Sequence, residues 1–276
     1  MDILYETSED PFAHEPVRHK ALRVHSAQSM NAETPAHLLT NDYLTPNSLF
    51  YIRHHHPVPF LTTDQVQNYR LEIDLSGALG THTFSLEEMK QMPRTDVVAT
   101  LQCSGNRRSG FNKFQKTSGT GWGQGAISTA KWTGVRLSYL LKRAGLDNAI
   151  EAQEKHKLHH VRMYSLDGMS ASVPIEKVMN PYGDVIIAYE MNNQILPRDH
   201  GYPLRVSRAR WRVEYSLQIY FLIIFNQCRL GNCARLCWNT QCQVGEPDRT
   251  VYGGGRRSMA ARPKLQNSTS KCDGRE

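Results

Sequence analysis

The fold of this chain is decided by a stretch that starts with apolar residues and ends with a cysteine and two arginines: Val97-Val98-Ala99-Thr100-Leu101-Gln102-Cys103-Ser104-Gly105-Asn106-Arg107-Arg108. The short β-branched run at its start predicts a buried strand. The cysteine at the strand's end is a soft metal ligand in its thiolate form, which neighbouring positive charge favours. The adjacent arginines offer fork-shaped donors to an oxyanion. The stretch therefore indicates metal chemistry on a small oxyanion, with a small buried apolar cysteine as the alternative.

The charge of the chain is unevenly distributed. Its 276 residues are enough for one large domain or two small ones. Residues 207–276 carry 12 Lys and Arg against 5 Asp and Glu, whereas the preceding residues carry 21 of each. Five of the six cysteines also lie after residue 206. This pattern indicates two unlike pieces of sequence rather than a nucleic-acid-binding protein.

Several protein classes are excluded by the sequence. Cys103 is the one cysteine in the first 206 residues, so no internal disulfide framework is expected there. The longest apolar run, Ile219–Phe225, is too short to cross a bilayer. The N-terminus, Met1–Glu6, has neither a signal-peptide core nor a transit-peptide pattern. We therefore expect no membrane span, and no targeting segment is visible.

The spacing of apolar residues predicts short strands and helices. Strands are expected at Leu49–Ile52, Tyr69–Leu75 and Val185–Met191, the last followed by a type I′ turn at Asn192-Asn193. A helix is expected at Ser172–Met179, with Pro174 in its first turn.

Two motifs closely resemble the molybdenum-cofactor domain of eukaryotic sulfite oxidases. They are Leu101–Arg108 and Gly125–Leu137, and the resemblance runs from about Asp10 to Val206. It implies an α+β fold with mixed sheets and short helices around one deep cofactor crevice. The implied domains are an N-terminal arm (1–45), an incomplete molybdopterin-binding oxidoreductase domain (46–206) and a non-homologous tail (207–276). We expect the tail to be largely irregular and disordered, as in an alternatively spliced or out-of-frame end.

The resemblance also implies a metal ligand and a substrate clamp. Cys103 would bind molybdenum, Arg53 and Arg108 would hold the sulfite dianion, and Trp122 would shape the cavity. The implied contacts to the pterin cofactor are Tyr51, Ile52, Arg53, His54, His55, Cys103, Asp167, His200 and Arg205. From the residues alone, the preferred interpretation is a solvated loop for Arg53, His55, His200 and Arg205 and a turn residue for Asp167.

The family reaction implied by the resemblance is molybdenum-dependent oxidation of sulfite to sulfate on a Mo-molybdopterin cofactor. Two alternatives stay open: a nitrate reductase-type molybdoenzyme, and a catalytically inactive truncated isoform. The implied electron acceptor is cytochrome c or a haem domain on another chain, because no haem domain is expected in this one. The family is homodimeric, but we expect the dimer domain to be missing here. The resemblance implies the mitochondrial intermembrane space, and a cytoplasmic location also stays open.

Overall fold

The structure is a computed structural model that describes residues 10–75, 77–166, 169–208 and 222–227. Within these ranges the chain forms three β-sheets with short helices around them, which confirms the predicted α+β class. No helix in these ranges combines the length and the apolar character that crossing a membrane requires.

The strands are β1 (Arg23–Ser26), β2 (Asn31–Glu33), β3 (Ile52–Arg53), β4 (Arg70–Leu75), β5 (Gly80–Ser85), β6 (Thr95–Gln102), β7 (Ile127–Arg136), β8 (Leu158–Tyr164), β9 (Ser170–Pro174), β10 (Val185–Met191), β11 (Gln194–Ile195), β12 (Arg205–Arg208) and β13 (Leu222–Gln227). The α-helices are α1 (Ala36–Leu39), α2 (Thr63–Gln67), α3 (Leu86–Gln91), α4 (Arg108–Phe111), α5 (Leu137–Arg143), α6 (Ala149–Glu154) and α7 (Ile175–Met179). Two 3-10 helices cover Asn47–Leu49 and Arg198–His200.

The central sheet runs in the order β11-β10-β7-β6, with β12 also paired to β10, and its pairings are antiparallel. The second sheet has the order β5-β4-β13-β8-β9, in which β13 runs parallel to β4. The third sheet, β1-β2-β3, joins the predicted arm to the predicted domain. The boundary at residue 45 stays a prediction, although this sheet crosses it.

The middle strand β10 is buried on both faces, and its successive residues point to opposite sides of the sheet. Val185 and Ile187 of β10 pack into one core with Leu140 of α5, whereas Ile186 and Ala188 pack into another. The first, which we call the helix-covered core, includes Leu71, Ile73, Leu75, Val135, Leu137, Leu140, Leu141, Val161, Ile175, Val185 and Ile187. The second, the aromatic core, includes Phe50, Tyr51, Val97, Ala99, Trp122, Ala130, Trp132, Ile186 and Ala188. Cys103 packs against the edge of the aromatic core.

Three sequence predictions of local structure are confirmed. Val97–Thr100 lies within β6, and Tyr69–Leu75 corresponds to β4 with alternate residues buried. β10 turns into β11 at Asn192 and Asn193, whose φ angles of 52° and 61° fit a hairpin turn.

Two predictions of local structure are wrong. Leu49–Ile52 is not one strand, because the 3-10 helix that begins after Pro46 includes Leu49, and the strand starts only at Ile52. Proline favours such a helical start. Ser172 pairs with Arg162 of β8 and belongs to β9, so the helix begins after Pro174 instead of at Ser172. Pairing with a neighbouring strand outweighs the local helix signal here.

Two short stretches of the predicted tail form strands in the part of it that the structure describes. Ser207 and Arg208 extend β12 alongside β10, and Leu222–Gln227 forms β13 between β4 and β8. Its Leu-Ile-Ile-Phe start has high β-propensity, and β4 and β8 offer it a backbone partner on each side. The prediction for the remaining residues of 207–276 lies outside the described residues.

Candidate active site

The candidate site is built around Cys103, which follows the last residue of β6. Its backbone N–H donates to the carbonyl of Ala126 at 2.9 Å, and the Asn106 Oδ1 accepts from the Ala126 N–H at 3.2 Å. The half-buried thiol forms no disulfide among the described residues, and its Sγ lies 3.4 Å from the Gly105 N–H that donates to it. The loop is therefore held beside the start of β7, with the thiol in a defined position.

The guanidinium of Arg108 is held between two glycines. A Cβ placed on Gly105 or on Gly119 would lie 2.7 Å from the Arg108 Nη1, so any side chain there would displace the guanidinium. The same Nη1 donates to the carbonyl of Thr120 at 2.9 Å. Gly119 has a φ of +101°, which glycine adopts without strain. These contacts lock Arg108 between the loop of residues 103–107, which we call the cysteine loop, and that of residues 113–125, the glycine-rich loop.

Arg53, at the end of β3, brings a second guanidinium to the thiol. Its guanidinium interacts electrostatically with Cys103, and its Nη1 donates to the Asn31 Oδ1 at 3.1 Å. Burial lowers the pKa of Arg53, the neighbouring Cys103 raises it, and the charge of Arg108 lowers it. The structure thus brings together the predicted ligand and both predicted anion-binding arginines.

Tyr51 is buried beside this cluster. Burial raises the pKa of Tyr51 well above its usual range, with Arg205 and Arg53 lowering it and Cys103 raising it. Its hydroxyl has no hydrogen-bond partner among the described residues, although it is shielded from solvent. Because an unpaired buried hydroxyl is costly, it marks a place where a bound group would be stabilised.

Trp122 is fully buried in the aromatic core, against the cysteine loop. A Cβ on Gly105 would lie 2.7 Å from its Cδ1, so the indole packs directly on the loop backbone. The ring of His25 packs edge-on against it, with 5.1 Å between centroids. The tryptophan is therefore positioned to form a wall of the site, and that role stays a prediction.

His200 and Arg205 are both buried and hydrogen-bonded to each other, and Arg205 lies within electrostatic range of Tyr51. Arg205 donates to the carbonyl of His200 at 2.9 Å, and its guanidinium lies 4.8 Å above the ring of Trp132. Burial lowers the pKa of Arg205 to about 10, against the effect of Tyr51. Burial, and then the charge of Arg205, lowers the pKa of His200 to about 3. A buried cation stacked on an indole is well suited to an anionic group.

His54 and His55 follow β3 and differ in burial, His54 being buried and His55 exposed. The buried His54 has its Nε2 3.1 Å from the carbonyl oxygen of Asp199, and burial lowers its pKa while Asp199 raises it. Asp199 also forms an ion pair with Arg18 at 2.8 Å. The exposed His55 has its Nδ1 3.3 Å from the Arg53 Nη2. His55 therefore faces the candidate site through Arg53, whereas His54 faces the ion pair.

Ile52 and His200 line a cavity of about 480 Å³, together with Arg18, Asn47, Arg198 and Asp199. This volume falls within the range of pockets that hold small ligands and cofactors. The cavity is thus next to two of the predicted cofactor contacts. The remaining predicted contact, Asp167, lies outside the described residues.

The structure separates the two adjacent arginines of the opening motif. Arg107 has a left-handed φ of 68° and lines a cavity of about 730 Å³ with Arg23, Glu33 and Lys113. Only Arg108 of the pair turns back over the cysteine loop, so Arg53 supplies the second guanidinium. The adjacency of Arg107 and Arg108 in the sequence did not predict their separation, because it depends on the left-handed backbone conformation of Arg107.

Sequence reasoning missed Trp132 and Glu33 as parts of the site. Trp132 lies under Arg205, and Glu33 accepts a hydrogen bond from Gly123 in the glycine-rich loop at 2.7 Å. Both lie in segments that resemble the family. Their roles follow from contacts with residues that are distant in the sequence, so the sequence alone carried no signal for them.

Comparison with known proteins identifies a molybdopterin-binding domain in the chain. The family model described as the oxidoreductase molybdopterin binding domain matches residues 55–217, which extends the match beyond Val206. The chain is 44% identical to the mitochondrial sulfite oxidase of Homo sapiens over 207 residues, covering 73% of this chain and 36% of that protein. It is 32% identical to nitrate reductase [NADH] of Lotus japonicus, covering 67% of this chain and 21% of that protein. The chain thus spans only about a third of the length of the sulfite oxidase that it matches.

A solved structure supports the same assignment. The sulfane dehydrogenase SoxCD of Paracoccus pantotrophus matches with a TM-score of 0.53 and 29% identity, over 70% of this chain and 46% of that one. Because the family model covers more than half of the sequence, the chain belongs to the oxidoreductase molybdopterin binding domain family.

Proposed function

We propose that this chain acts in a molybdenum-dependent, sulfite oxidase-type enzyme that oxidises sulfite to sulfate. Sulfite gains an oxygen from water, and electrons and protons are released. The single observation that carries the proposal is that the guanidiniums of Arg53 and Arg108 lie beside the half-buried thiol of Cys103. A soft sulfur ligand beside two guanidiniums suits a metal that acts on a small dianion.

Similarity to known enzymes favours sulfite over nitrate. The chain is more similar to the human sulfite oxidase than to the plant nitrate reductase. Sulfite is a doubly charged anion near neutral pH, whereas nitrate carries a single charge. Two arginines beside one thiol suit sulfite better than nitrate, since each arginine supplies a charge-assisted donor.

The residues around Cys103 fit a Mo-molybdopterin cofactor. The Tyr51 hydroxyl and the Trp132 indole N–H are both buried without a hydrogen-bond partner among the described residues. Arg205 adds a buried positive charge beside them. Such groups are stabilised when a polar, negatively charged ligand binds against them. We therefore assign cofactor binding to Tyr51, Ile52, Arg53, His54, His55, Asp167, His200 and Arg205, with Cys103 as the molybdenum ligand.

When bound, the cofactor supplies redox chemistry at a metal. The protein's own part is to bind and orient the anion. Arg53 and Arg108 are held by Asn31 and Thr120 before any substrate arrives, so they need little reorganisation to receive a dianion. Trp122 closes the site on its apolar side, which limits access of water and strengthens the ionic contacts.

The partners and the location follow from the same proposal. Electrons would pass to cytochrome c or to a haem group carried by another chain. The human relative is named as a mitochondrial protein. We accordingly propose a mitochondrial location, in the intermembrane space.

The proposal is tested with the full chain expressed in cells that make the cofactor. Molybdenum and pterin are measured per chain, and sulfite-dependent reduction of cytochrome c is followed. We expect bound molybdenum and sulfite oxidation, and we expect Cys103→Ser to abolish the oxidation, because the hydroxyl is a poor replacement for a thiolate ligand. The adjacent exposed residue supplies the matched control, Ser104→Ala, which should keep the activity.

Each alternative has its own outcome in this experiment. Turnover with nitrate but not with sulfite would replace the proposal by a nitrate reductase-type enzyme. A folded chain that contains no molybdenum would show that it does not carry out the reaction. Full activity of Cys103→Ser would overturn the ligand assignment.

A further inference from the structure

Glu33 places a carboxylate in an unusual position behind the glycine-rich loop. It is the last residue of β2, and its side chain is only 4% exposed. The Oε2 accepts a hydrogen bond from the backbone N–H of Gly123 at 2.7 Å. A carboxylate buried to this extent normally needs charged or hydrogen-bonding partners, so its contacts indicate its role.

The other oxygen of Glu33 faces two basic residues. The Nε2 of His25 lies 3.4 Å and the Nη1 of Arg23 lies 3.5 Å from the Oε1. The Arg23 side chain is 70% exposed, so water screens that pair and it contributes little. The His25 side chain is 17% exposed, and its ring packs edge-on against the indole of Trp122. The His25 ring therefore lies between the Glu33 carboxylate and the Trp122 indole.

Gly123 is required for the carboxylate to approach the loop. A Cβ at this position would collide with both carboxylate oxygens of Glu33. The carbonyl of Gly123 accepts from the N–H of Arg107, and the carbonyl of Trp122 accepts from the N–H of Ser109 at 3.0 Å. The short segment that Glu33 binds is therefore also the segment that holds the cysteine loop.

The loop bound by Glu33 carries the groups that shape the proposed sulfite site. Thr120, whose carbonyl receives the Arg108 guanidinium, and Trp122 are both within three residues of Gly123. A shift of this loop moves the guanidinium away from the thiol without changing Cys103 itself. Misplacement by about 1 Å is enough to weaken a substrate-binding group substantially.

We propose that Glu33 is a positioning residue for the substrate arginine, acting through the Gly123 N–H and through His25 and Trp122. The inference rests on the proposed function, because its kinetic consequence is a change in affinity for sulfite. Glu33 touches neither the Cys103 thiol nor Arg108 by any contact of the structure, so its effect reaches them through the loop.

The kinetic test compares Glu33→Ala, Glu33→Gln and a control in the loaded full chain. Glu33→Ala leaves the Gly123 N–H without its acceptor, and we expect KM for sulfite to rise about tenfold with kcat within about threefold of the wild type. Glu33→Gln keeps an acceptor oxygen and should recover most of the affinity. Glu72, a half-buried glutamate of β4, provides the control, and Glu72→Ala should leave KM unchanged.

A second test uses Gly123→Ala, which brings a methyl group against the Glu33 carboxylate. We expect the single variant to raise KM as Glu33→Ala does. In the double variant Glu33→Ala/Gly123→Ala the carboxylate is absent, so the new methyl group meets no collision. The KM for sulfite should then rise no further than in Glu33→Ala alone. If the rise in KM of the double variant equals the product of the two single rises, the two residues act independently and the proposal is overturned.

A third measurement is independent of activity and uses the cofactor-free protein. Trp122 emission is isolated by subtracting the spectrum of Trp122→Phe, and its quenching by acrylamide is followed. Glu33→Ala and His25→Leu should both increase quenching, whereas Glu72→Ala should not. Since His25→Leu keeps the Glu33–Gly123 bond, it also tests the inference if Glu33→Ala fails to fold.

The outcomes separate this inference from the proposed function. Absence of sulfite oxidation by the wild type would count against the function, while the quenching result would still decide the role of Glu33. A lower thermal stability of Glu33→Ala with unchanged KM and unchanged Trp122 quenching would reduce Glu33 to a structural residue and overturn the proposal.

Discussion

The two faces of the central sheet are built for different purposes. The helix-covered core is packed with aliphatic side chains such as Leu71, Ile73 and Leu140, each fully buried. The aromatic core holds Tyr51, Trp122 and Trp132, whose polar atoms are buried without hydrogen-bond partners among the described residues. One strand, β10, supplies alternate residues to both. A single sheet thus separates a core of mostly aliphatic side chains from one that contains buried polar atoms without hydrogen-bond partners among the described residues.

The comparison teaches where stability and function are located. Aliphatic packing stabilises the folded state, because it removes apolar surface from water and leaves no polar group unsatisfied. Buried polar atoms without partners cost free energy in the absence of ligand and return it when a ligand binds. Substitutions in the helix-covered core should therefore lower the free energy of unfolding, whereas substitutions in the aromatic core should chiefly weaken ligand binding. The following predictions test this difference.

The largest effect is expected for Leu140→Ala in the helix-covered core. Leu140 is fully buried on α5, and truncation leaves a cavity that should lower the free energy of unfolding by about 3 to 4 kcal/mol. Urea denaturation of the cofactor-free protein measures it. The volume-conserving Leu140→Met should cost less than about 1.5 kcal/mol. A loss below about 1 kcal/mol for the alanine variant would contradict the packing described above.

Arg205→Met should show the opposite signature in the aromatic core. The substitution removes a buried charge of high desolvation cost, so the stability of the cofactor-free protein should be retained or increased. Cofactor retention should fall by about 2 kcal/mol, roughly 30-fold in dissociation constant, because a charged donor is lost. Molybdenum and pterin per chain after dialysis measure this loss. The half-exposed Arg136→Met is the control, and retention equal to wild type in Arg205→Met would remove Arg205 from the site.

A smaller effect is expected from the protonation of His200. Its pKa is lowered to about 3 in the folded state from 6.5, so the unfolded chain binds more protons between these values. The free energy of unfolding is therefore highest above pH 6.5, where His200 is neutral in both the folded and the unfolded state. It falls as the pH drops towards 3, with a slope of at most about 1.4 kcal/mol per pH unit from this residue. His200→Gln should flatten this dependence in denaturant titrations, leaving the contribution of His54, whose pKa is also lowered. An unchanged slope would show that His200 is protonated in the folded protein.

The smallest effect is expected for Ser85→Ala, far from either core's polar groups. Ser85 caps α3, its side chain accepting from the Glu88 N–H at 3.1 Å. Loss of the cap should lower stability by about 1 kcal/mol and leave cofactor content unchanged. Thermal unfolding and molybdenum analysis together check it. Ser85→Asp keeps a capping oxygen and should restore the stability, so equal losses in both variants would argue against capping.

Local patterns predicted the parts of the fold that local physics controls. The alternation in Tyr69–Leu75 and the turn at Asn192-Asn193 were sufficient to identify β4 and the β10–β11 hairpin, because side-chain burial and positive φ leave direct marks in sequence. The helix start placed at Ser172 was wrong, since the strand partner that competes for Ser172 is distant in sequence. Long-range pairing has no local signature.

The candidate site shows the same division. Cys103, Arg53 and Arg108 were identified from motifs, and the structure brings them together. The divergence of Arg107 from Arg108 was not predictable, because it depends on one left-handed residue. The contact between Glu33 and Gly123 joins residues 90 positions apart in the sequence, so only the fold reveals it.

The place of β13 has a consequence for the order of events during synthesis. Leu222–Gln227 pairs with β4 in parallel and with β8 in antiparallel orientation, so it fills the middle of its sheet although it is the last described strand to leave the ribosome. Until it arrives, β4 and β8 each present an open backbone edge that other chains can pair with. Both edges thus stay open to pairing with other chains for the time it takes to translate the intervening residues.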